Sequence, residues 1–473
     1  MAELKKKYGL LTAMGMVIGI VIGSGVFFKA QNVLNNTKGL MPLGILAWLI
    51  GGIVMLICGY NFANLATRYS KVNGLVDYAQ ATIGGKYAYY LGRFMATVYI
   101  PGMPRALAWV SARYTLAIFV PYEILPIEAT IASDICLALA GFYLVVSFAI
   151  NALAPKLAGK LQVSMTVIKL IPLVLMAVVG IIFGLTHGNT QAAFATSGAA
   201  AASEGGSANA LLGSVVAVAF AFEGWILATS INSEIRDSKK NLPRALVLGC
   251  SIIIVIYIVY YIGISGAVPV EVLMEQGANA AFTALFGKVG GTLIGVCIAI
   301  SCLGTLNGLM LSATRSMYAL AANGQGPAPK TLAEVSEGTN MPTNSSVVGL
   351  LICAAWLLYF FIANLYSGNF LGLFSFDSSE LPIITIYAFY IPMFIMYIKK
   401  NHKDGALKNV VMPILAIIAC AFMVFAALYS HGYTPLKTSR ENGTFNCPVL
   451  FYLIVFAVFM VIGSFFYKKK AKK

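Results

Sequence analysis

The sequence predicts an all-α membrane protein with about twelve membrane-spanning helices. Of its 473 residues, 59% are hydrophobic and only 10% are charged, whereas an ordinary soluble domain carries roughly 25% charged residues. The apolar residues also form runs of roughly the 20 residues that a helix needs to cross the ~30 Å hydrocarbon core of a bilayer. This composition excludes a soluble globular enzyme, and we expect a single transmembrane domain over residues 1–473.

The apolar runs place the spans along the chain with short loops between them. The first five spans are expected at about 10–29, 41–66, 88–120, 126–150 and 159–184. The next five are expected at about 209–233, 244–266, 289–321, 346–364 and 376–398. The last two are expected at about 409–430 and 447–467. The longest loops, at 187–208, 322–344 and 430–446, are each too short for an independent soluble domain.

The positive charges predict the orientation of these spans. The chain has 32 Lys and Arg against 17 Asp and Glu, a formal net charge of +15. Because Lys and Arg stay preferentially in cytoplasmic loops, an N-terminus inside places about 23 of these cations on the cytoplasmic side. Only about five fall outside: Lys29, Lys38, Lys288, Lys437 and Arg440. Both termini are therefore predicted to be cytoplasmic, and the charge indicates topology rather than a nucleic-acid partner.

Two spans carry helix-breaking residues at corresponding positions of two five-span halves. Span 1 contains Gly23-Ser24-Gly25, and span 6 contains Glu223-Gly224 after an aromatic pair. Glycine weakens a helix by about 1 kcal/mol relative to Ala. Such a pair of interrupted spans is typical of an inverted-repeat transporter whose site lies where the broken helices meet. For span 1 alone, tight helix packing through glycines spaced four apart is an equally good interpretation.

Three segments carry a resemblance to a known family. They are 23–27 (Gly-Ser-Gly-Val-Phe), 220–225 (Phe-Ala-Phe-Glu-Gly-Trp) followed by Glu234 and 242–245 (Leu-Pro-Arg-Ala), and 301–308 (Ser-Cys-Leu-Gly-Thr-Leu-Asn-Gly) with Arg315. Together they resemble the amino acid–polyamine–organocation superfamily, and within it the L-type amino acid transporters and bacterial serine/threonine exchangers. The resemblance implies a LeuT-like fold, with spans 1–5 (about 10–184) and 6–10 (about 209–398) as inverted repeats. Spans 11 and 12 (about 409–467) would be peripheral.

The resemblance also implies a function. It indicates a secondary active transporter of small neutral L-amino acids that works by alternating access, as a sodium-independent exchanger. The alternative in the same fold is a proton-coupled symporter of amino acids or amines, and an ion channel or a membrane sensor is the alternative from another class. We expect no enzymatic activity, no cofactor and no metal, since no His pair falls inside a span and no phosphate-binding loop is present.

The implied substrate site uses the ends of the broken helices. A helix N-terminus offers free amides to a carboxylate, and a C-terminus offers free carbonyls to an ammonium group. The resemblance implies that the amides of Ser24 and Gly25, with the Ser24 hydroxyl, hold the substrate carboxylate. The carbonyls of Val21, Phe220 and Glu223 would take the ammonium group. The implied site comprises Val21, Ile22, Gly23, Ser24, Gly25, Phe220, Ala221, Phe222, Glu223 and Gly224.

One aromatic residue is singled out as a gate. Phe220 aligns with the residue that caps the substrate from the outside in this family, and an ordinary core aromatic is the alternative interpretation. Small side chains at Ala221 and Gly224 would leave room for the substrate side chain.

Lys169 is expected to lie deep in span 5. It follows Lys160 by nine residues, or roughly 13 Å along a helix, and an ionisable residue at that depth indicates function. By resemblance, the lysine at this place in span 5 occupies the region where sodium-coupled relatives bind the ion, so Lys169 would replace that cation. The alternative is a lysine whose stem reaches to the interface.

Three more polar residues in the spans are candidates for function. Arg105 on span 3 and Glu223 depart from what the family leads us to expect, and we predict either an ion pair between them, readout of a substrate side chain, or separate solvated positions. Asn307 is a candidate contact on span 8, and an interhelical hydrogen bond would explain it equally well.

The expected partners are few. They are the amino acid substrate and membrane lipid, in a multi-pass cell-membrane protein, and no nucleic acid. Some relatives pair with a glycoprotein through a cysteine between spans 3 and 4, but residues 121–127 contain none. No disulfide-linked partner subunit is therefore expected.

Overall fold

The computed structural model describes residues 9–23, 25–69, 74–201, 207–226, 235–339, 341–366, 374–400 and 405–468. Within these ranges the regular secondary structure is helical, and no β-strand occurs. This agrees with the all-α class that the composition predicts.

Twenty-two α-helices follow one another along the described chain. The first eleven are α1 (Leu10–Val21), α2 (Gly25–Asn36), α3 (Met41–Arg68), α4 (Leu75–Thr82), α5 (Gly85–Phe94), α6 (Ile100–Ala117), α7 (Ala129–Ala132), α8 (Asp134–Leu153), α9 (Pro155–Ile168), α10 (Leu170–Leu175) and α11 (Ile181–Thr186). The others are α12 (Asn189–Ala201), α13 (Ser207–Ala221), α14 (Ser238–Ala267), α15 (Val270–Gln276), α16 (Ala278–Ala321), α17 (Pro329–Leu332), α18 (Thr343–Phe360), α19 (Leu381–Lys399), α20 (Met412–Leu428), α21 (Thr434–Glu441) and α22 (Pro448–Ser464). Short π-helical segments continue some of them, at Met95–Tyr99, Met176–Gly180, Phe361–Leu365, Leu407–Val411 and Tyr429–Tyr433.

Seven helical stretches of the described chain are long and apolar enough to cross a membrane. They are Met41–Arg68, Asp134–Leu153, Ser238–Ala267, Ala278–Ala321, Thr343–Leu365, Leu381–Lys399 and Leu407–Glu441. A bent pair, Leu170–Thr186 with Asn189–Ala195, raises the number to eight, and three shorter apolar helices lie at Leu10–Gly19, Ala208–Ala221 and Pro448–Ser464. The chain is therefore a multi-pass membrane protein, while the number of twelve spans stays a prediction.

The three segments that the sequence predicts as long loops all contain helix, although at 322–344 it is only the short α17. The predicted loop at 187–208 includes α12, and the predicted loop at 430–446 includes α21. Alanine is the strongest helix former, so the alanine-rich run of α12 can form a helix although it is weakly hydrophobic. Pro435 occupies the first turn of α21, where proline is tolerated because its missing amide has no partner there.

The described residues group into two compact units. The first unit draws on Met1–Ala88, Leu173–Ala281 and Ile383–Ser430. In it α3 packs against α13 and α14, α14 packs against α1, and α13 packs against α2. Small residues permit this: a Cβ added at Gly52 would lie 2.4 Å from Ile254, and one at Gly51 would lie 2.7 Å from Val218. Close approach through small residues is the usual way in which membrane helices pack.

The second unit draws on Tyr89–Pro172, Phe282–Pro382 and His431–Lys473. In it α6 packs against α8 and α18, and α8 also contacts α9 and α18. Two tryptophans of this unit donate hydrogen bonds from their ring nitrogens to backbone carbonyls. Trp356 donates to the carbonyl of Thr97 at 2.9 Å, and Trp109 donates to the carbonyl of Ile131 at 2.8 Å.

A buried amide network joins α8, α9 and α16 in the second unit. The Asn151 amide donates to Oδ1 of Asn307 at 2.8 Å. The Asn307 amide donates to Oε1 of Gln162 and to the carbonyl of Ala158, each at 3.2 Å. Both asparagines are buried, so each hydrogen bond compensates for a polar group removed from water.

We predict that Asn307→Ala destabilises the protein by about 1–2 kcal/mol, because it leaves the buried amide of Asn151 without its side-chain acceptor. Thermal unfolding of the purified protein in detergent measures this as a lower Tm. Asn323→Ala is the matched control, since Asn323 is exposed and bonds only within its own turn, to Ala319. Equal Tm values for the two variants would contradict the structural role of the network.

Candidate functional site

Two helices, α1 and α2, meet at the glycines of the predicted span 1, and that they form one broken span stays a prediction. Helix α1 ends at Val21, Ile22 has extended backbone with φ −66° and ψ 109°, and α2 begins at Gly25. Val21, Ile22, Gly23 and Gly25 are all buried. Ser24 lies outside the described residues. The described residues on both sides of Ser24 therefore lie within the first unit and are enclosed by protein.

Helix α13 ends at the corresponding motif of span 6. Its last residue is Ala221, and the amide of Glu223 then bonds to the carbonyl of Phe220 at 3.3 Å. Gly224 has φ 108°, a left-handed conformation that glycine adopts without a steric penalty. The predicted continuation of span 6 to 233 falls largely outside the described residues, which stop at Ile226 and resume at Ile235.

The two interrupted helices touch each other at these ends. A Cβ added at Gly25 would lie 2.7 Å from Cα of Ala221, closer than such atoms can approach. Only glycine at this position therefore lets the start of α2 lie directly on the end of α13. This contact brings together members of the two segments that the sequence singles out.

Tyr257 on α14 bonds to both helix ends, and the sequence did not single it out. Its hydroxyl lies 3.2 Å from the carbonyl oxygen of Val21 and 3.1 Å from that of Ala221, so one proton is shared between two acceptors. A fully buried tyrosine hydroxyl usually has a hydrogen-bond partner, and this rule is the only signal that points to it. Because a carbonyl oxygen has two lone pairs, the Val21 carbonyl can accept a second bond.

Phe220 lies in the first unit, where an aromatic ring and an ammonium group contact its own ring. It is 6% exposed. The ring of Phe28 meets it edge-to-face, with 5.6 Å between the centroids, and Nζ of Lys29 lies 5.1 Å from its centroid. A gate requires the Phe220 side chain to move between an open and a closed position, so the predicted role of Phe220 stays a prediction.

Phe222 and Glu223 have separate surroundings in the same unit. The Phe222 ring packs against Trp48 and Tyr257, with centroid distances of 5.7 and 5.1 Å. Glu223 is half-buried, and its carboxylate acts electrostatically on the hydroxyls of Tyr387 and Tyr390. The negative charge at the end of α13 therefore faces tyrosine hydroxyls of α19.

Arg105 lies in the second unit on α6 and is fully buried. Its guanidinium carbon lies 4.6 Å from the centroid of Phe360, and the nearby carboxylate of Asp377 acts on it electrostatically. None of its three guanidinium nitrogens forms a hydrogen bond within the part of the chain that the structure describes. Asp377 in turn accepts the amide of Glu380 at 3.0 Å, just before α19 begins. Pairing with Glu223 and readout of a substrate both stay predictions.

Asn307 lies on α16, one of the helices that the buried amide network joins, and Lys169 lies just after the end of another, α9. Lys169 directly follows the end of α9 and is 4% exposed. A Cβ added at Gly304 would lie 2.7 Å from Cβ of Met165, so the 301–308 motif of α16 packs closely against α9 one turn before Lys169. Asn307 takes part in interhelical hydrogen bonds with Asn151 and Gln162.

No group of three or more His, Cys, Asp or Glu side chains that could hold a metal ion occurs within the described ranges. A His–carboxylate contact does occur: Nε2 of His431 lies 3.2 Å from Oε2 of Glu380. The candidate site is thus composed of backbone groups at helix ends, with aromatic rings and single charges around them.

Comparison with known proteins relates most of the chain to one family. A family model described as "Amino acid permease" matches residues 8–460. The serine/threonine exchanger SteT of Bacillus subtilis (strain 168) is 31% identical over 435 residues, which cover 90% of this chain and 92% of that protein. The large neutral amino acids transporter small subunit 2 of Homo sapiens is 25% identical over 444 residues, which cover 90% of this chain and 76% of that protein.

One solved structure supports the fold independently. The crystal structure of MhsT in complex with L-phenylalanine superposes with a TM-score of 0.64, covering 90% of this chain and all of that one. The identity is 14%, so this likeness concerns the fold alone.

We predict that Gly25→Ala destabilises the protein by about 1–3 kcal/mol, because the added methyl group would overlap backbone atoms of Ala221 that cannot easily move. The measurement is thermal unfolding in detergent. Gly15→Ala is the matched control on α1, since a Cβ there meets nothing within 4 Å and alanine favours the helix. An unchanged Tm for Gly25→Ala would mean that the two helix ends do not touch in solution.

Proposed function

The chain belongs to the amino acid permease family, within the amino acid–polyamine–organocation superfamily, and on this premise we propose that it transports small neutral L-amino acids by alternating access. It is a transporter and not an enzyme. The proposed mode is sodium-independent exchange of one amino acid for another. The observation that carries the proposal is the contact between the interrupted ends of α1, α2 and α13.

The chemistry of these helix ends suits an α-amino acid. An amino acid carries a carboxylate and an ammonium group on one carbon, and helix termini offer free amides to the first and free carbonyls to the second. In the proposed binding mode the amides of Ser24 and Gly25, with the Ser24 hydroxyl, hold the carboxylate. The carbonyls of Val21, Phe220 and Glu223 take the ammonium group. No charged side chain is needed to bind either group.

The size of the residues at the helix ends supports a small substrate. Ala221 and Gly224 are proposed to leave room for the substrate side chain because their own side chains are small, and Ile22, Gly23 and Phe222 are proposed to complete the lining. Phe220 is proposed as the outer gate that covers the bound substrate. Tyr257 is proposed as a positioning residue, because its hydroxyl holds the carbonyls of Val21 and Ala221 at a defined separation.

Lys169 is proposed to take the place of the sodium ion that coupled relatives of this fold use. A buried ammonium group supplies a fixed positive charge, so a bound cation becomes unnecessary. Burial of Lys169 at 4% exposure supports this role over that of a lysine reaching to the interface, since burial of an unused charge would be costly.

The relatives support the mode of transport and the setting. One of them is named an exchanger for serine and threonine, which supports exchange of small neutral substrates. We propose twelve spans in the cell membrane with both termini cytoplasmic, spans 1 and 6 broken, and spans 1–5 and 6–10 as inverted repeats. We also propose that the chain works without a disulfide-linked subunit, since residues 121–127 lack cysteine.

Exchange in proteoliposomes tests the proposed function. Vesicles preloaded with labelled L-serine should release it when unlabelled L-serine or L-threonine is added outside, and release should be equal in sodium and in choline buffer. D-serine is the control for stereoselectivity. Equal release without any external amino acid would exclude obligatory exchange, and uptake driven by an imposed proton gradient alone would favour the proton-coupled alternative.

We predict that Lys169→Ala lowers the exchange rate at least tenfold, because the positive charge proposed to replace sodium is lost. The rate is measured with equal amounts of reconstituted protein. Lys160→Ala is the matched control on α9, the helix that ends just before Lys169, since Lys160 is exposed. A Lys169→Ala protein with wild-type kinetics would remove this residue from the mechanism.

A further inference from the structure

Lys29 is a buried cation in an unexpected place. The charge distribution counts it among the few cations on the outer side, yet the structure places it in α2 with 1% of its surface exposed. Its Nζ atom lies 4.7 Å from the centroid of Phe28 and 5.1 Å from that of Phe220. An ammonium group removed from water needs compensation, and the two rings supply part of it.

The three side chains form a compact cluster between α2 and α13. Phe28 and Phe220 meet edge-to-face at an interplanar angle of 81°, and both are buried. The face of an aromatic ring is electronegative and attracts a cation within about 6 Å of its centroid. Both distances from Lys29 satisfy this condition, so its charge attracts the ring of Phe220 towards α2.

The cluster lies next to the contact between the helix ends. Phe220 directly precedes Ala221, on which Gly25 rests, and Lys29 follows Gly25 by one helical turn. The contacts that hold the Phe220 ring are therefore adjacent in the chain to the contact between Gly25 and Ala221 that packs α2 against α13. A gate formed by Phe220 has to leave Lys29 and Phe28 in order to open.

We propose that Lys29 is a positioning residue that holds Phe220 in its closed position through a cation–π contact. This rests on the proposed function, in which Phe220 is the outer gate. The Phe220 ring is 6% exposed, as a closed gate should be, so the contact stabilises the closed state. Loss of the contact then allows bound substrate to escape outward more readily, which weakens the apparent affinity on the outer side.

The charge and the side-chain shape can be tested separately. Lys29→Met keeps the aliphatic stem and removes the charge, and Lys29→Arg keeps a cation that also binds aromatic faces. Lys29 has interactions beyond these two rings, so its replacement alone does not isolate the contact with Phe220. Successive fluorination of the Phe220 ring isolates its contact with Lys29, because fluorine withdraws electron density from the ring face while nearly preserving the shape of the ring.

The experiment incorporates phenylalanine with zero, one, two or three fluorines at position 220, in proteins that carry Lys29, Lys29→Arg or Lys29→Met. One readout is Tm in detergent without substrate. The other is the apparent KM for external L-serine in exchange, with the maximal rate measured in parallel. With Lys29 or Lys29→Arg, each fluorine should lower Tm and raise KM, by about 3- to 30-fold in KM at three fluorines. With Lys29→Met, the dependence of both on fluorination should be much smaller, because only the edge-to-face contact with Phe28 remains.

Three results would overturn the proposal. The first is a KM independent of fluorination in the protein with Lys29, and the second is an equal dependence in Lys29→Met. The third is a dependence of Tm on fluorination without any dependence of KM, which would make the contact purely structural. If the protein transports no amino acid at all, the proposed function fails, and the gate fails with it. The Tm readout still tests the contact in that case: a Tm that depends on fluorination when position 29 is a cation would show a structural contact between Lys29 and Phe220.

Discussion

The helix ends of α1, α2 and α13 depend on one constraint. A helix that ends inside an apolar environment leaves backbone amides and carbonyls that need hydrogen-bond partners from the protein or from a ligand. Here α1 ends at Val21 and α13 ends at Ala221, and the Tyr257 hydroxyl bonds to the terminal carbonyls of both. Gly25 allows the second half of span 1 to rest on Ala221. Two of the backbone carbonyls at these helix ends are therefore bonded internally by a side chain.

Buried cations in the described chain lie repeatedly over aromatic rings. Lys29 lies over Phe28 and Phe220, Arg105 over Phe360, and Arg93 over Phe466 at 5.8 Å. A ring face compensates a charge without adding a carboxylate that would itself need desolvation. With 12% aromatic and 10% charged residues, the chain has ample rings for this purpose. A charge held by a ring can also be released by a modest movement of that ring, which suits a protein that changes conformation.

Within each unit, small residues and amides replace the hydrophobic driving force that packs the core of a soluble protein. Membrane helices gain little from moving between lipid and protein, so they associate through close contact and hydrogen bonds. Gly51 and Gly52 let α3 approach α13 and α14, and Gly304 does the same for α16 and α9. The amides of Asn151 and Asn307 then specify which turns face each other. Asn307 therefore has a structural explanation without any contact with substrate.

The sequence by itself determined the class of the protein and its family, because each of these depends on composition or on residues close together in the chain. The helix end at Val21, the start at Gly25 and the left-handed Gly224 all fall at the predicted glycines. Helix α3 runs to Arg68 where a span to 66 is predicted. Only the tertiary structure decided that Tyr257 bonds to Val21, 236 residues away, and that Lys29 lies buried against Phe220. Contacts between residues so far apart in the chain depend on how the helices pack, and a local pattern of residues does not predict them.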